Sequence, residues 1–178
     1  AAPPTGNLRW RSPAPPASWT GIKEATKFGA ACPQGANSFT KIYPVEIAED
    51  CLYLNIYRPA NTSAGDKLPV MIFFHGVSYV VGAASFVVYE ATERIAESKN
   101  VIIVTANYRL QALGFLGGNI LRDPNDKSTG NWGLLDQRFA MKWVQENADN
   151  FGGNKDLVTI FGESAGSGSV GNHMVSPK

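Results

Sequence analysis

The sequence predicts an α/β protein, a mostly parallel sheet flanked by helices, from three observations. First, "VMIFFHG" (70–76), "VIIVTANYRL" (101–110) and "LVTIFG" (157–162) are short runs apolar at consecutive positions, as in strands covered on both faces. Second, stretches with helical periodicity separate them. Third, the order strand, helix, strand, helix, strand with this burial pattern implies right-handed crossovers and parallel pairing.

In chain order, residues 1–50 hold seven of the eleven prolines and little periodicity, and read as irregular coil with short extended pieces. The opening "AAPPTGNLRW" begins with turn formers and without Met, as in a processed or cut chain. "CLYLNIYRP" alternates Leu52, Leu54 and Ile56 against Tyr53, Asn55 and Tyr57, a half-buried strand stopped by Pro59. After the turn-rich "ANTSAGDKLP" come the first doubly apolar strand, a helix around "YEATERIAESKN", and the second such strand. In "GNWGLLDQRFAMKWVQENA", Leu134, Leu135, Phe139, Trp143 and Val144 fall mostly on one helical face, with Asp136, Arg138, Lys142 and Glu146 off it. The third buried strand, "LVTIFG", follows.

The 178 residues, 44% hydrophobic, suffice for one globular domain with a sizeable core. Lys and Arg number 16 against 15 Asp and Glu, scattered without a basic stripe, which argues against a nucleic-acid partner. The longest apolar runs fall far short of the roughly 20 residues that cross a bilayer, and no signal-peptide pattern opens the chain. The reading is a soluble protein, or one whose signal has been removed. Cys32 and Cys51 flank a polar, turn-rich stretch, compatible with a disulfide or with two unpaired buried thiols. Asn61-Thr62-Ser63 is an N-glycosylation sequon in a segment expected at the surface, and tips the reading toward an oxidising, secretory compartment.

In "DLVTIFGESAGSG" (156–168) a buried strand ends at a glycine, and a serine follows two positions later, before a stretch that can begin a helix. Turning sharply from strand to helix forces Ser164 into a strained backbone conformation with its hydroxyl held out at the carboxyl edge of the sheet. Gly162 and Gly166 remove side chains that would collide. This is the G-x-S-x-G nucleophile elbow. Alone the pattern also fits an ordinary glycine-rich junction; its strand-before, helix-after context makes it specific. The turn aims the Ala165 N–H, at the positive end of the new helix, at the space where a tetrahedral oxyanion would form.

A serine hydroxyl needs a base oriented by a carboxylate, and in this arrangement the order is Ser, then Asp or Glu, then His. The fourteen residues after Ser164 contain no carboxylate. His173 lies about nine residues into the helix, roughly 13 Å along its axis, beyond reach of Ser164. His75 is expected at a loop rim, holding its loop rather than serving as base. Glu163, adjacent to Ser164 on a tight turn, reads as a buried structural carboxylate.

These residues resemble the type-B carboxylesterase/lipase family of the α/β-hydrolase fold, which includes the carboxylesterases and cholinesterases. "FGGNKDLVTIFGESAG" is similar to that family's serine signature, "EDCLYLNIYRP" to its second signature, and "PPTGNLRW", "VIIVTANYRLQALGFL" and "GNWGLLDQRFAMKWV" to further blocks in the same order. The likeness covers essentially the whole chain. Members are much longer, with the acid and the histidine in their later part, so the resemblance implies that residues 1–178 are the N-terminal portion of a single catalytic domain. It further implies Ser164 as nucleophile, Ala165 as one oxyanion donor, a Cys32–Cys51 disulfide, and buried structural ion pairs Arg109–Asp136 and Arg9–Glu49.

The family loop usually reads His-Gly-Gly-Gly followed by a bulky apolar residue, its second and third glycines donating the other oxyanion N–H groups. Here "HGVSYVVGAAS" puts Val77 and Ser78 at those places. β-Branched Val77 is stiff and poorly suited to positive φ, so either the oxyanion hole is impaired or the loop stays in place and its side chains narrow the acyl pocket. Gln111 stands where glycine is common. Cholinesterases carry a cation-binding tryptophan in the first disulfide loop; Phe39 and Tyr43 are the only aromatics there, which disfavours a cholinesterase.

The resulting expectation is a secreted serine carboxylesterase or lipase acting on a small-molecule or lipid ester. Its histidine and acid would come from the remaining C-terminal part, leaving these residues inactive alone. Acyl transfer of this kind needs no metal or cofactor. The rival expectation is a non-catalytic binding or adhesion module with an impaired oxyanion loop.

Overall fold

The computed structural model describes residues 1–36, 41, 45–89 and 91–177; Phe39 and Tyr43 lie outside the described residues. Four strands form one mixed sheet: β1 (Leu54–Tyr57), β2 (Leu68–Phe74), β3 (Ile102–Ala106) and β4 (Gly153–Gly162), in the order β1-β3-β2-β4. β2 runs parallel to β3, with Val70 opposite Ile102, and parallel to β4, with Phe74 opposite Gly162. β1 is antiparallel to β3. The helices are α1 (Ala91–Lys99), the short α2 (Gln111–Phe115), α3 (Trp132–Asn147) and α4 (Ala165–Val175).

Because side chains alternate along a strand, β2 and β3 each present two faces. Val70, Ile72 and Phe74 with Ile102, Val104 and Ala106 form one continuous buried cluster, closed by Val144 and Ala148 from α3 and its end. Each Val, Ile and Phe side chain among them contributes about 1.5–3 kcal/mol on full burial. On the opposite face the Phe73 ring meets Tyr89 edge-on at 4.7 Å and lies 5.1 Å from Phe161. β2 and β3 are therefore covered on both sides, as their composition predicts.

Two elements, β4 and α3, differ from expectation, and β1 is shorter than its pattern. β4 is a sheet edge with β2 as its only neighbour among the described strands, and Leu157 is 53% exposed rather than buried. β1 forms a ladder over Leu54–Tyr57, shorter than the run "CLYLNIYRP", and is half-buried as expected, with Leu54 and Ile56 packed against the core. In α3 the fully buried positions are Trp132, Gly133, Asp136, Gln137 and Val144, while Leu134, Leu135, Phe139 and Trp143 are half-covered. The helix is rotated from its apolar stripe because Asp136 is drawn inward by a charge partner.

That partner is Arg109, just beyond β3. Asp136 Oδ2 accepts from the Arg109 backbone N–H at 3.0 Å and from Nε at 2.8 Å, and Oδ1 accepts from Nη2 at 2.7 Å. Arg109 and Asp136 are both buried, as the resemblance implies. The Arg9–Glu49 pair is bidentate at 2.9 and 2.7 Å, yet its side chains are 38% and 30% exposed, so it is a partly solvated pair and not a buried one. Solvent competes for both groups there, and the pair contributes little. Cys32 and Cys51 form a disulfide, and Ala31 makes a parallel bridge to Ile47, pinning an otherwise irregular N-terminal segment.

β3 and β4 flank β2 on opposite sides, so the strand order reverses at β2. In open α/β sheets the crevice outside the carboxyl ends of the strands at such a reversal is where ligands bind. The residues that leave β2 and β4 at that edge are His75 to Gly82 and Glu163 to Ala165.

Candidate functional site

β4 ends at Gly162 and α4 begins at Ala165, leaving two residues to reverse the chain. Ser164 absorbs the turn with φ 52° and ψ −117°, a conformation far from the allowed regions of a non-glycine residue. Gly166 N–H donates to Glu163 O at 2.8 Å and Gly168 N–H to Ser164 O at 3.0 Å, closing the first turn of the helix tightly. A Cβ on Gly162 would overlap the backbone of Gly166, and one on Gly166 would overlap the backbone carbonyl of Phe74. Both glycines are required by close approach: one lets the turn close, the other lets α4 lie against the end of β2. Ser164 is exposed at the rim, and its hydroxyl has no hydrogen-bond partner among the described residues.

The second component leaves β2. Val77, Ser78 and Tyr79 adopt φ of 66°, 58° and 60°, three consecutive non-glycine residues in the left-handed region. Val80 N–H and Val81 N–H both donate to Val77 O, at 3.1 and 3.3 Å, so the segment is a single left-handed turn. Each such L-residue costs about 1–2 kcal/mol, and the conformation persists only where surrounding contacts over-determine it. The stiffness of Val77 has thus not moved the loop out of left-handed geometry. The loop also starts against the elbow: a Cβ on Gly76 would come within 2.6 Å of Glu163 O and 3.0 Å of Ser164 Cβ. Among the described residues, no acceptor lies against the N–H groups of Val77, Ser78 or Ala165.

Contacts beyond the sequence reading hold this turn. The Tyr79 hydroxyl donates to Ala165 O at 2.7 Å and lies 3.1 Å from Ser169 Oγ. Gln111 has φ 51°, donates its backbone N–H to Tyr79 O at 2.9 Å and reaches Val80 O with Nε2 at 2.8 Å. The Gln34 amide brackets Gly82, donating to its carbonyl and accepting from its N–H, each at 2.9 Å. The visible signal for the first of these was a tyrosine where the resembling family carries an apolar residue.

His75 is not at a rim. It is 1% exposed, its ring stacked on Tyr108 at 4.4 Å, with Gly82 packed so closely that a Cβ there would strike the imidazole. Tyr108 Oη donates to the His75 carbonyl at 2.6 Å. Burial lowers the His75 pKa to about 4, with a backbone hydrogen bond to Gly76 acting weakly the other way. The histidine is therefore neutral and structural. Since the unfolded chain binds its proton near pH 6.5 and the folded one only near pH 4, stability is complete above pH 6.5 and declines as pH falls through that window. The expected loss is about 3 kcal/mol. Urea titrations across this range should show a shallower acid limb in His75→Gln than in the natural protein.

His173 sits on the far side of α4, its Nε2 2.8 Å from Gln137 Oε1, and its pKa is lowered by burial and then by Arg138. Neither histidine is brought to Ser164. Glu163 is exposed in these 178 residues, contrary to the buried carboxylate expected, with its carboxylate lying over Gly76. Asn61 is exposed on a turn. A cavity of about 680 Å³, lined by Trp19, Phe28, Leu54, Phe139, Trp143 and Phe151, opens beside β1; it includes no residue of the elbow or the left-handed turn. Among the described residues no three His, Cys, Asp or Glu side chains cluster as a metal site, and no helix is long and apolar enough to cross a membrane.

The sequence profile described as the Carboxylesterase family matches residues 1–178. Cocaine esterase of Homo sapiens is 45% identical over 187 residues, covering 99% of this chain and 32% of that protein. Pyrethroid hydrolase Ces2e of Rattus norvegicus is 44% identical, covering 99% and 31%. Among solved structures, a thermophilic pNB esterase superposes with a TM-score of 0.90 at 39% identity, covering 99% of this chain and 36% of the other. The fold is that of the α/β-hydrolase esterases, and the chain spans about a third of the length of the curated relatives it matches.

Proposed function

The chain belongs to the carboxylesterase family, and on that premise we propose that residues 1–178 are the N-terminal part of a single catalytic domain that hydrolyses carboxylic esters through an acyl-enzyme on Ser164. The observation that carries the proposal is the strained Ser164 backbone at the β4–α4 turn, φ 52° and ψ −117°, beside a left-handed turn whose Val77 and Ser78 amides are unengaged among the described residues. In the proposed reaction Ser164 Oγ bonds to the carbonyl carbon as its proton passes to a histidine. The carbonyl oxygen becomes an oxyanion facing the N–H groups of Val77, Ser78 and Ala165, and preorganised donors there stabilise the transition state. Collapse expels the alcohol, which takes the proton, and water then releases the acid and regenerates the serine.

With His75 buried and His173 bonded to Gln137, the base and its orienting carboxylate lie outside these 178 residues, in the remaining part of the protein. Residues 1–178 alone are therefore expected to be inactive. The substrate is a small-molecule or lipid ester. The formed disulfide and the exposed Asn61 support an oxidising secretory route, with Asn61 glycosylated and the enzyme released outside the cell. The non-catalytic reading is not favoured: matched relatives are ester hydrolases, and the substituted loop retains left-handed geometry.

Stopped-flow hydrolysis of a nitrophenyl ester by the full-length protein tests the mechanism. An initial burst of nitrophenol, near one equivalent per active site, is the expected signature of acyl-enzyme accumulation; absence of any turnover would overturn the proposal. Gly166→Ala provides a second check. The added methyl group pushes α4 off the end of β2 and displaces Ser164, lowering kcat about 10²-fold and costing about 1–3 kcal/mol of stability. Turnover and thermal melts measure the two effects.

A further inference from the structure

The left-handed turn presents a physical problem: glycine adopts positive φ freely, whereas Val77, Ser78 and Tyr79 do not. Something must hold it. We propose that the Tyr79 hydroxyl is a positioning residue that locks the oxyanion turn to the start of the nucleophile helix; this rests on the ester-hydrolase reading of the same site.

Tyr79 is the last residue of the turn, and its hydroxyl crosses to Ala165 O at 2.7 Å. Ala165 is the residue whose own N–H is the third proposed oxyanion donor. One side chain therefore couples the two sources of donors, the turn leaving β2 and the helix leaving β4. The hydroxyl is fixed in turn by a buried relay. Ser169 Oγ lies 3.1 Å from Tyr79 Oη, Gln137 Nε2 donates to Ser169 Oγ at 3.1 Å, and Gln137 Oε1 meets His173 Nε2 at 2.8 Å. Ser169 and Gln137 are 0% exposed, so their geometry is set by the α3–α4 packing. From the other side Gln111, itself left-handed, bonds to Tyr79 O and Val80 O. The phenol ring is braced at 5.0 Å from Phe115 and 6.3 Å from Tyr108, so loss of the hydroxyl alone leaves the packing in place. The turn then relaxes toward ordinary backbone angles and its amides move away from the oxyanion.

The role acts on the transition state rather than on substrate binding. In full-length protein Tyr79→Phe is expected to lower kcat roughly tenfold, with KM within about twofold, the size of one lost hydrogen bond. Affinity for a trifluoromethyl ketone, which becomes a tetrahedral oxyanion on addition of Ser164, should fall in parallel, and amide exchange over residues 77–81 should quicken. The same Tyr79→Phe change made on top of Val77→Gly and Ser78→Gly should cost less than about twofold, because glycine needs no lock. Equal losses in both backgrounds, or full kcat and unchanged exchange in the single variant, would overturn the inference while leaving the esterase reading intact. If the natural protein shows neither turnover nor ketone binding, the esterase reading fails, and this role with it.

Discussion

Alanine at position 164 lowers kcat of the full-length protein on a nitrophenyl ester by about a million-fold, the scale seen when the nucleophile of a working serine relay is removed, with the melting temperature nearly unchanged. The two halves of that expectation have separate physical grounds. Activity depends on the hydroxyl, which is the only part of Ser164 able to form the acyl bond. Stability depends on it little, since within these residues the hydroxyl is at the exposed rim without a hydrogen-bond partner, and a bond to the proposed histidine contributes only about 1 kcal/mol. The backbone strain at φ 52° is unchanged, because alanine and serine share the same Cβ. A variant retaining a tenth of the activity would place the nucleophile elsewhere.

Asp136→Ala is expected to cost about 3–5 kcal/mol, the usual penalty for leaving one member of a buried ion pair uncompensated. Arg109 is 2% exposed, and the carboxylate accepts three hydrogen bonds from it. Without Asp136 the guanidinium keeps only the Arg11 carbonyl, at 2.8 Å, while Nη1 has no partner among the described residues. Arg109 also sits at a close approach of backbones, since Cβ atoms on Gly114 or Gly133 would overlap its carbonyl. Loss of the charge therefore loosens α2 and α3 together. Thermal or urea unfolding measures the cost, and a loss below about 1 kcal/mol would mean that solvent reaches Arg109.

β2, β3 and the elbow were legible in the sequence because each is specified by a strong local pattern: consecutive apolar residues for the buried strands, and glycines bracketing a serine after one of them. What could not be read depended on neighbours. "LVTIFG" has the composition of a strand covered on both faces, but covering depends on what packs over the sheet, and β4 has one strand neighbour among those described in a chain that spans about a third of its relatives' length. Asp136 lies off the apolar stripe of α3, and periodicity is blind to a charge neutralised by a partner 27 positions earlier. The place of His75 at the end of a strand predicts a rim; the stacking ring of Tyr108 and the absence of a side chain on Gly82 bury it instead. Intrinsic stiffness alone predicts against a left-handed Val77, whereas bonds from Tyr79, Gln111 and Gln34 around the turn accompany that conformation.

The most direct test of the account is reaction of the full-length protein with a fluorophosphonate, followed by peptide mass mapping. The predicted result is a single phosphonyl group on Ser164, with loss of esterase activity in proportion to labelling. Attachment at another residue, or persistent ester hydrolysis with Ser164 unmodified, would contradict it.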